Sequence, residues 1–338
     1  MPAEWEPHEA TWLAWPKDPL TFPQGIIDRV EATYVRMIEE LASGERVNLL
    51  VDDLETSKRV DGMISRGRSN LEIIVLKSAD VWMRDYGPIF VKSKESIGAT
   101  KWIFNAWGNK YDELKNDDET GAKIAVRSGF HVFQPKIVLE GGSIDVNGIG
   151  SCLTTKQCLL NSNRNPGLTQ GEISRYLRDY LGVTNLLWLD SGIEGDDTDG
   201  HVDDIARFVN QDTVVCMREE DPNNPNYDAL KRNYELLRHA RDQDGRSLNV
   251  VPIKMPGQVI SQEGPLPASY ANFYIGNACV LVPIFGGERE RDREALRTLE
   301  SFFPKRKVVG INCEALVYGF GGIHCVTQQQ PSLAASST

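Results

Sequence analysis

The sequence lacks several features that would place a protein directly in a particular class. No apolar run in its 338 residues approaches the roughly 18 residues that a membrane-spanning helix requires. Residues 1–9 have neither the basic start nor the apolar stretch of a secretory signal peptide. We therefore expect a cytoplasmic protein that has no membrane partner.

Paired cysteines and an excess of positive charge are missing as well. The six cysteines form no Cys-x-x-Cys pair and show no zinc-type spacing, so in a reducing compartment the first five are expected to be small buried side chains. The net charge is −11, from 37 basic and 48 acidic residues, so nucleic acid is not expected as a partner. A negative field would instead attract a small cation.

Helix-like and strand-like segments alternate along the whole chain. Apolar residues at steps of three and four predict an amphipathic helix that begins at Ile27 and ends near Gly44. Short strands are predicted at residues 46–51, 71–76 and 102–106, and a final strand is predicted to carry Cys325. No Pro/Ser-rich linker divides the chain, so we expect one α/β domain over residues 1–330 and a disordered tail over residues 331–338.

Residues able to do chemistry concentrate in four segments. Cys325 lies near the end of the chain, in an apolar and β-branched run entered through glycines. Acidic and histidine side chains cluster in three other places, residues 84–88, 139–142 and 196–204. A nucleophilic cysteine with distant histidine and carboxylate partners is a recurring catalytic arrangement. Here the carboxylates exceed what such a triad needs, which indicates a cationic substrate.

The motif from Asp199 to Asp203 has two interpretations. In an extended segment, Asp199, His201 and Asp203 would point to one face, and their pattern is similar to one metal-ligand motif of the binuclear manganese ureohydrolases. Alternatively, His201 is the general base for Cys325. A free thiol has a pKa near 8.5, so its ionisation at pH 7 costs on the order of 2 kcal/mol, which a protonated His201 or a bound cation could supply. His324 is expected on the opposite strand face, as a structural residue behind the site.

Two other residues, Asp85 and Glu140, each have a structural and a functional interpretation. Asp85 either caps a turn and pairs with Arg84, or it accepts two parallel hydrogen bonds from a planar guanidinium. Trp82 could place its ring against the same cation. Glu140 either ends a strand beside a turn or orients His201.

In combination, these segments resemble the agmatine deiminases of the Porphyromonas-type peptidyl-arginine deiminase family. The resemblance covers nearly the whole chain, and its motifs occur in one order. They are residues 2–7 (PAEWEP), 12–16 (WLAWP), 82–88 (WMRDYGP), 139–143 (LEGGS), 153–155 (LTT), 158–161 (CLLN), 163–166 (NRNP), 200–203 (GHVD) and 323–331 (IHCVTQQQP).

The resemblance implies a fold, a reaction and a set of roles. The fold would be the pentein fold, a five-bladed α/β propeller with pseudo-fivefold symmetry, in a homodimer. The reaction would be hydrolytic deimination of a small cationic guanidino substrate, with neither a metal nor another cofactor. Asp85 and Asp203 would hold the guanidinium, Cys325 would attack its carbon, and His201, oriented by Glu140, would transfer the protons. With agmatine as substrate, the products would be N-carbamoylputrescine and ammonia.

Two positions depart from the family pattern, and alternative functions stay open. Gly322 stands where relatives often have Asn, and Asp197 stands where many have Glu, so recognition of the far end of the substrate is in question. Free arginine or peptidyl-arginine is an alternative substrate. We favour agmatine because Arg84 and Arg207, which could bind an α-carboxylate, are predicted to face away from the site. A catalytically silent polyamine-binding or metal-binding protein is the other alternative.

Overall fold

The computed structural model describes residues 1–262 and 264–333, which form short strands and helices. The strands are β1 (His8–Ala14), β2 (Arg46–Val51), β3 (Leu71–Val75), β4 (Ile89–Lys92), β5 (Ile97–Thr100), β6 (His131–Phe133), β7 (Ile144–Val146), β8 (Ser151–Thr155), β9 (Asn185–Leu189), β10 (Ala206–Phe208), β11 (Thr213–Arg218), β12 (Asn249–Lys254), β13 (Ile260–Ser261), β14 (Gly264–Pro265), β15 (Tyr274–Ile275), β16 (Cys279–Ile284), β17 (Lys307–Asn312) and β18 (Gln328–Pro331). The helices are α1 (Ile27–Leu41), α2 (Leu54–Met63), α3 (Met83–Tyr86), α4 (Ala106–Asn109), α5 (Asp117–Arg127), α6 (Lys156–Leu159), α7 (Gln170–Leu181), α8 (Tyr227–His239) and α9 (Arg289–Phe302).

Within the described ranges, five sheets repeat one strand arrangement. Each sheet has an antiparallel pair whose second strand also pairs with a parallel neighbour. In chain order, four of these sheets are β4-β5-β6, β7-β8-β9, β10-β11-β12 and β15-β16-β17. In the fifth, the two ends of the chain meet, because β18 pairs antiparallel with β1, which runs parallel to β2. Strand β3 extends this sheet, and β13 and β14 form a small separate hairpin.

A helix connects the two parallel strands of every repeat. These helices are α1, α5, α7, α8 and α9, and a parallel pair needs a crossover of this kind. The predicted helix from Ile27 is confirmed as α1, which buries Val30, Tyr34, Met37 and Leu41 on one face.

The helices also link neighbouring sheets. Helix α1 contacts β16 and β17 as well as β2, α8 contacts β9 as well as its own strands, and α9 contacts β12 as well as β17. One cluster of buried apolar side chains accordingly includes residues from all five repeats. A smaller cluster lies around α7 and β7. No helix in the described part of the chain is both long and apolar enough to cross a membrane.

Several predicted elements are wrong in detail. Residues 102–106 form no strand, and Ile103 makes only an isolated bridge to Val138. Cys325 lies in a turn, since β18 starts three residues later. The predicted tail begins too early, because Pro331 pairs with His8 in the first sheet. The rest of that prediction, residues 334–338, lies outside the described residues.

Candidate active site

The candidate site is assembled from equivalent segments of the five repeats. Each segment lies just before the first strand of a hairpin. Asp85 lies in α3 before β4, Glu140 before β7, His201 and Asp203 before β10, Asn272 before β15, and Cys325 before β18. The structure therefore brings together the five residues for which the sequence predicted catalytic roles, together with Asn272, which was not predicted.

Three of these side chains surround one glycine. A Cβ atom added to Gly142 would lie 2.5 Å from His201 Nδ1, 3.0 Å from Asp85 Oδ1 and 3.1 Å from Asp203 Oδ2. The Gly142 N–H donates to Asp85 Oδ1 at 3.0 Å, and Trp107 Nε1 donates to Asp85 Oδ2 at 2.9 Å. Burial raises the pKa of Asp85, the charge of His201 opposes that effect, and the Asp203 carboxylate adds to it, leaving the pKa above its ordinary value.

The segment that carries His201 is a turn organised by a partly buried aspartate, Asp196. Asp196 Oδ2 accepts from Gly200 N at 2.8 Å and His201 N at 3.1 Å, while Oδ1 accepts from Thr198 N at 2.8 Å. Gly200 has a φ of 89°, which glycine adopts without steric strain. A 3₁₀ turn from Val202 to Asp204 follows. The predicted extended segment is therefore wrong.

The same turn separates Asp199 from His201 and Asp203. Arg164 Nη1 donates to Asp199 Oδ2 at 2.5 Å, and Lys110 Nζ lies 3.0 Å from Oδ1. Asp199 thus pairs with two cations, and the same-face arrangement behind the metal-ligand interpretation does not form.

Glu140 and His201 keep unpaired polar atoms at the centre of the site. Arg164 Nε donates to Glu140 Oε1 at 2.7 Å, but within the described residues Glu140 Oε2 and both ring nitrogens of His201 have no hydrogen-bond partner. Polar atoms of Glu140, His201 and Cys158 lie within 4.8 Å of one another. Burial lowers the pKa of His201, but the charges of Asp85, Cys158 and Glu140 outweigh it and raise that pKa well above its ordinary value.

Asp203 has one oxygen engaged and one oxygen without a partner. His324 Nδ1 lies 2.7 Å from Asp203 Oδ2, and Cys325 Sγ lies 3.8 Å from the same oxygen. Asp203 Oδ1 is buried and has no partner in the described part of the chain. Burial raises the pKa of Asp203, but the hydrogen bond and charge of His324 outweigh burial, so the pKa falls below its ordinary value. His324 thus lies behind the site, although it sits in a turn rather than a strand.

Asn272 holds the turn that carries Cys325. Its Nδ2 donates to Cys325 Sγ at 3.1 Å, and its Oδ1 accepts from His324 N at 2.8 Å. The Cys325 carbonyl accepts from Arg84 N at 3.1 Å. A Cβ atom on Gly322 would lie 2.5 Å from Asn272 Oδ1, so an Asn at position 322 would require Asn272 to move.

The thiol of Cys325 is held in its neutral form in this arrangement. Burial raises its pKa well above the ordinary value, and the carboxylates of Asp203, Asp204 and Asp85 raise it further. A cation bound between these carboxylates would oppose their effect, so thiolate formation is coupled to cation binding.

A cavity of about 190 Å³ leads to Cys325. Its lining includes aromatic and acidic side chains, namely Trp82, Trp107, Tyr111, Tyr318, Phe320, Asp18, Asp85, Glu113 and Asp197, and no Lys, Arg or His of the described residues. The Tyr111 hydroxyl donates to Asp197 Oδ2, and Lys110 Nζ lies 3.4 Å from Asp197 Oδ1. Aromatic faces and carboxylates together suit a cationic ligand with an apolar body.

Comparison with known proteins agrees with this geometry. A family model described as "Porphyromonas-type peptidyl-arginine deiminase" matches residues 1–331. The chain belongs to this family. A protein of Legionella pneumophila strain Paris is 39% identical over 332 residues, covering 98% of this chain and 95% of the relative. The agmatine deiminase of Pseudomonas aeruginosa strain LESB58 is 36% identical over 359 residues, covering 98% and 95% of the two chains.

A solved structure supports the same assignment. The agmatine deiminase of Enterococcus faecalis superposes with a TM-score of 0.91 at 34% identity, covering 99% of this chain and 96% of that one. The sequence-based assignment to the Porphyromonas-type family is thus confirmed.

Trp107 is a site residue of this family member that the sequence did not predict. It lies in a run with positive φ, in which Ala106, Trp107 and Asn109 have φ values of 53°, 51° and 65°. Asn105 Oδ1 stabilises the run by accepting from Gly108 N at 2.8 Å. Backbone strain of this kind is typical of functional sites. In the sequence, the available indication of such a run was that Asn and Gly residues flank Trp107, because these residue types adopt positive φ more readily than others.

Cys158 and Arg164 were also missed as neighbours of the site. Cys158 was predicted to be a buried small side chain, which it is, but it lies beside His201. Arg164 fixes Glu140 through a fully buried ion pair. Both lie in motifs of the family resemblance, but a motif does not say which of its side chains face the site.

Proposed function

We propose that this protein hydrolyses agmatine to N-carbamoylputrescine and ammonia through a covalent bond to Cys325. The observation that carries the proposal is a set of buried polar atoms that have no hydrogen-bond partner among the described residues: Asp203 Oδ1, Glu140 Oε2 and both ring nitrogens of His201. Buried polar atoms normally have partners, so the free Asp203 oxygen suits a guanidinium N–H, and the free nitrogens of His201 can exchange protons with the reacting groups.

The cavity favours agmatine over arginine. A free α-carboxylate would need a positive partner, and the described residues that line the cavity include no basic side chain. Arg84 donates to Gln329 at 2.7 Å and pairs with Glu4 at 3.2 Å. Arg207 is fully buried and pairs with Glu4 and Asp145. Both arginines therefore have partners and do not line the cavity.

The proposed roles begin with cation binding. Asp85 and Asp203 bind the guanidinium nitrogens, and Trp82 forms part of the wall beside them. Asp197 faces the distal ammonium of agmatine. Because Asp197 also pairs with Lys110 and Tyr111, its attraction for that ammonium is weaker. The bound cation opposes the carboxylate field on Cys325 and favours its thiolate.

The covalent steps follow from this arrangement. Binding of the cation favours loss of the Cys325 proton to solvent, and the sulfur attacks the guanidinium carbon. His201, which starts protonated and is oriented by Glu140, gives its proton to the leaving nitrogen, so ammonia departs and a thiouronium cation remains on Cys325. His201 then takes a proton from water, whose oxygen attacks the same carbon. When the C–S bond breaks, the new hydroxyl group loses its proton and the product carbonyl forms. Of the two protons released to solvent, one restores the thiol of Cys325 and the other converts the ammonia to ammonium.

Ammonia release tests this function. Agmatine, free arginine and a blocked arginine peptide are compared side by side at equal concentration. We expect kcat/KM for agmatine to be at least about tenfold above that for the other two substrates. A desolvated polar or charged group that has no partner in the cavity costs a free energy of about this size. Turnover of the peptide but not of agmatine would contradict the substrate assignment.

A nucleophile variant separates catalysis from binding. Cys325→Ser should abolish ammonia release while agmatine still binds in calorimetry, because the carboxylates are untouched. The matched control is Cys216→Ser, a buried cysteine in β11 away from the cavity. If the parent protein binds polyamines but releases no ammonia, it is the catalytically silent binding protein instead.

The proposal also covers the architecture of the chain and its assembly into a dimer. We infer that residues 1–331, which include the last residue of β18, are one domain whose five sheets close into a five-bladed propeller. The repeated sheet pattern and the pairing of β18 with β1 support this closure. The family resemblance further suggests a cytoplasmic homodimer, which light scattering of the purified protein would test.

A further inference from the structure

Glu4 is a buried carboxylate near the start of the chain that makes four contacts beneath the site. Its Oε1 accepts from Arg207 Nη2 at 2.9 Å and from Ile275 N at 2.8 Å. Its Oε2 lies 3.2 Å from Arg84 Nη2 and 2.9 Å from His324 Nε2. Two of these partners, Arg84 and His324, directly precede Asp85 and Cys325 in the chain.

His324 bridges Glu4 and Asp203. Its two ring nitrogens lie 2.9 Å from Glu4 Oε2 and 2.7 Å from Asp203 Oδ2, and all three side chains are buried. The pKa of Glu4 is lowered because Arg207 and His324 outweigh burial, and the pKa of Asp203 is lowered because His324 does the same. Both carboxylates are thus ionised and act as acceptors for the two ring nitrogens of His324.

We propose that Glu4 and His324 form a positioning pair that holds Asp203 ionised with Oδ1 directed at the guanidinium. The inference rests on the proposed function, in which Asp203 binds the substrate cation. His324 occupies Asp203 Oδ2, and Oδ1, which has no hydrogen-bond partner among the described residues, is left for the substrate. Glu4 orients the His324 ring through its contact with Nε2, as a carboxylate behind a histidine does at other sites.

Other titratable or charged groups near Asp203 also influence its pKa. They are His201, Arg207, Asp204, Asp85, Asp196 and the Cys325 thiol. None of them makes the 2.7 Å contact to Asp203 that His324 makes. A change at His324 should therefore alter Asp203 while leaving these groups in place, whereas a change at Glu4 also removes one partner of Arg207.

The test compares Glu4→Gln with Glu6→Gln in the same N-terminal segment. Glutamine at position 4 keeps the size of the side chain but replaces the carboxylate that contacts His324 Nε2 with an uncharged amide. Glu6 instead pairs with Lys92 near the surface, with 26–29% of both side chains exposed. We expect Glu4→Gln to lower kcat/KM for agmatine on the order of 10-fold or more and Glu6→Gln to leave it unchanged.

The pH profile provides a readout that a purely structural role would not change. The hydrogen bond and charge of His324 lower the pKa of Asp203. Loss of the Glu4 carboxylate that holds His324 should raise that pKa, so the acid limb of kcat/KM should move to higher pH in Glu4→Gln. His324→Gln should shift the acid limb in the same direction. Because it leaves the Glu4–Arg84 and Glu4–Arg207 pairs intact, it also serves as the test variant if Glu4→Gln does not fold. Folded variants with the parental profile and parental kcat/KM would overturn the proposal. A parent protein that releases no ammonia from agmatine would instead refute the proposed function.

Discussion

At the scale of single residues, the site depends on the small size of Gly142 as well as on its charged side chains. Gly142 is not in the left-handed region, so an alanine there meets no backbone penalty. Its Cβ would nevertheless lie 2.5 Å from His201 Nδ1 and within 3.1 Å of both carboxylates. Real Cβ atoms do not approach other atoms so closely, so the side chains would have to move.

Gly142→Ala should therefore reduce kcat on the order of 100-fold, because displacement of reacting groups by about 1 Å has effects of that size. The control is Gly62→Ala in α2, where an added Cβ meets nothing within 4 Å and should stabilise the helix by about 0.5–1 kcal/mol. Steady-state kinetics and thermal melting of both variants make the comparison. Parental kcat in a folded Gly142→Ala protein would show that the side chains tolerate the methyl group.

At the scale of elements, the cavity wall depends on a long connection between β1 and α1. Residues 15–26 have no strand, yet Asp18, Thr21 and Pro23 line the cavity. Thr21 Oγ1 donates to Asp80 Oδ2 at 2.7 Å, and Trp82 Nε1 donates to the same oxygen at 2.8 Å. Asp80 thus joins this connection to the aromatic wall.

Thr21→Val should raise the KM for agmatine several-fold, up to about tenfold, with a smaller effect on kcat, since the hydrogen bond to a buried carboxylate is lost far from the reacting carbon. Thr21→Ser keeps the hydroxyl and is the control expected to retain the parental KM. Initial rates over a range of agmatine concentrations separate the two parameters. Equal KM values in the two variants would mean that the connection is held by other contacts.

At the scale of the whole molecule, buried ion pairs join the repeats. Arg207 in β10 is fully buried and donates to Asp145 of β7 at 2.7 Å, to Glu4 at 2.9 Å and to the Phe273 carbonyl at 2.9 Å. Removing one partner of such a network leaves the other charges unpaired in a medium that solvates them poorly.

Arg207→Met should destabilise the protein by about 3–5 kcal/mol, whereas Arg246→Met should change its stability little. Arg246 makes a comparable pair with Asp242, but its side chain is 62% exposed. Urea denaturation followed by circular dichroism compares the two variants. A similar loss in both would show that burial of the pair is not what matters.

Local pattern was sufficient for much of the secondary structure. The helix from Ile27 and the strand at 46–51 form as predicted, because their apolar periodicity matches the face that each one buries. The predictions for 102–106 and for Cys325 failed, since left-handed residues and turns depend on tertiary contacts, such as those of Asn105 with the Asn163 carbonyl and of Asn272 with Cys325.

The sequence alone determined the residue types at the reaction centre and the family of the protein. A thiol, an imidazole and surplus carboxylates in motifs of fixed order are compatible with few reactions. Which side chains meet was decided only by the tertiary structure. Equivalent segments before five hairpins converge, although residues 85 and 325 lie far apart in the chain. Asn272, Trp107, Arg164 and Glu4 acquire their places from that convergence, since contacts between distant segments leave no periodic pattern in the sequence.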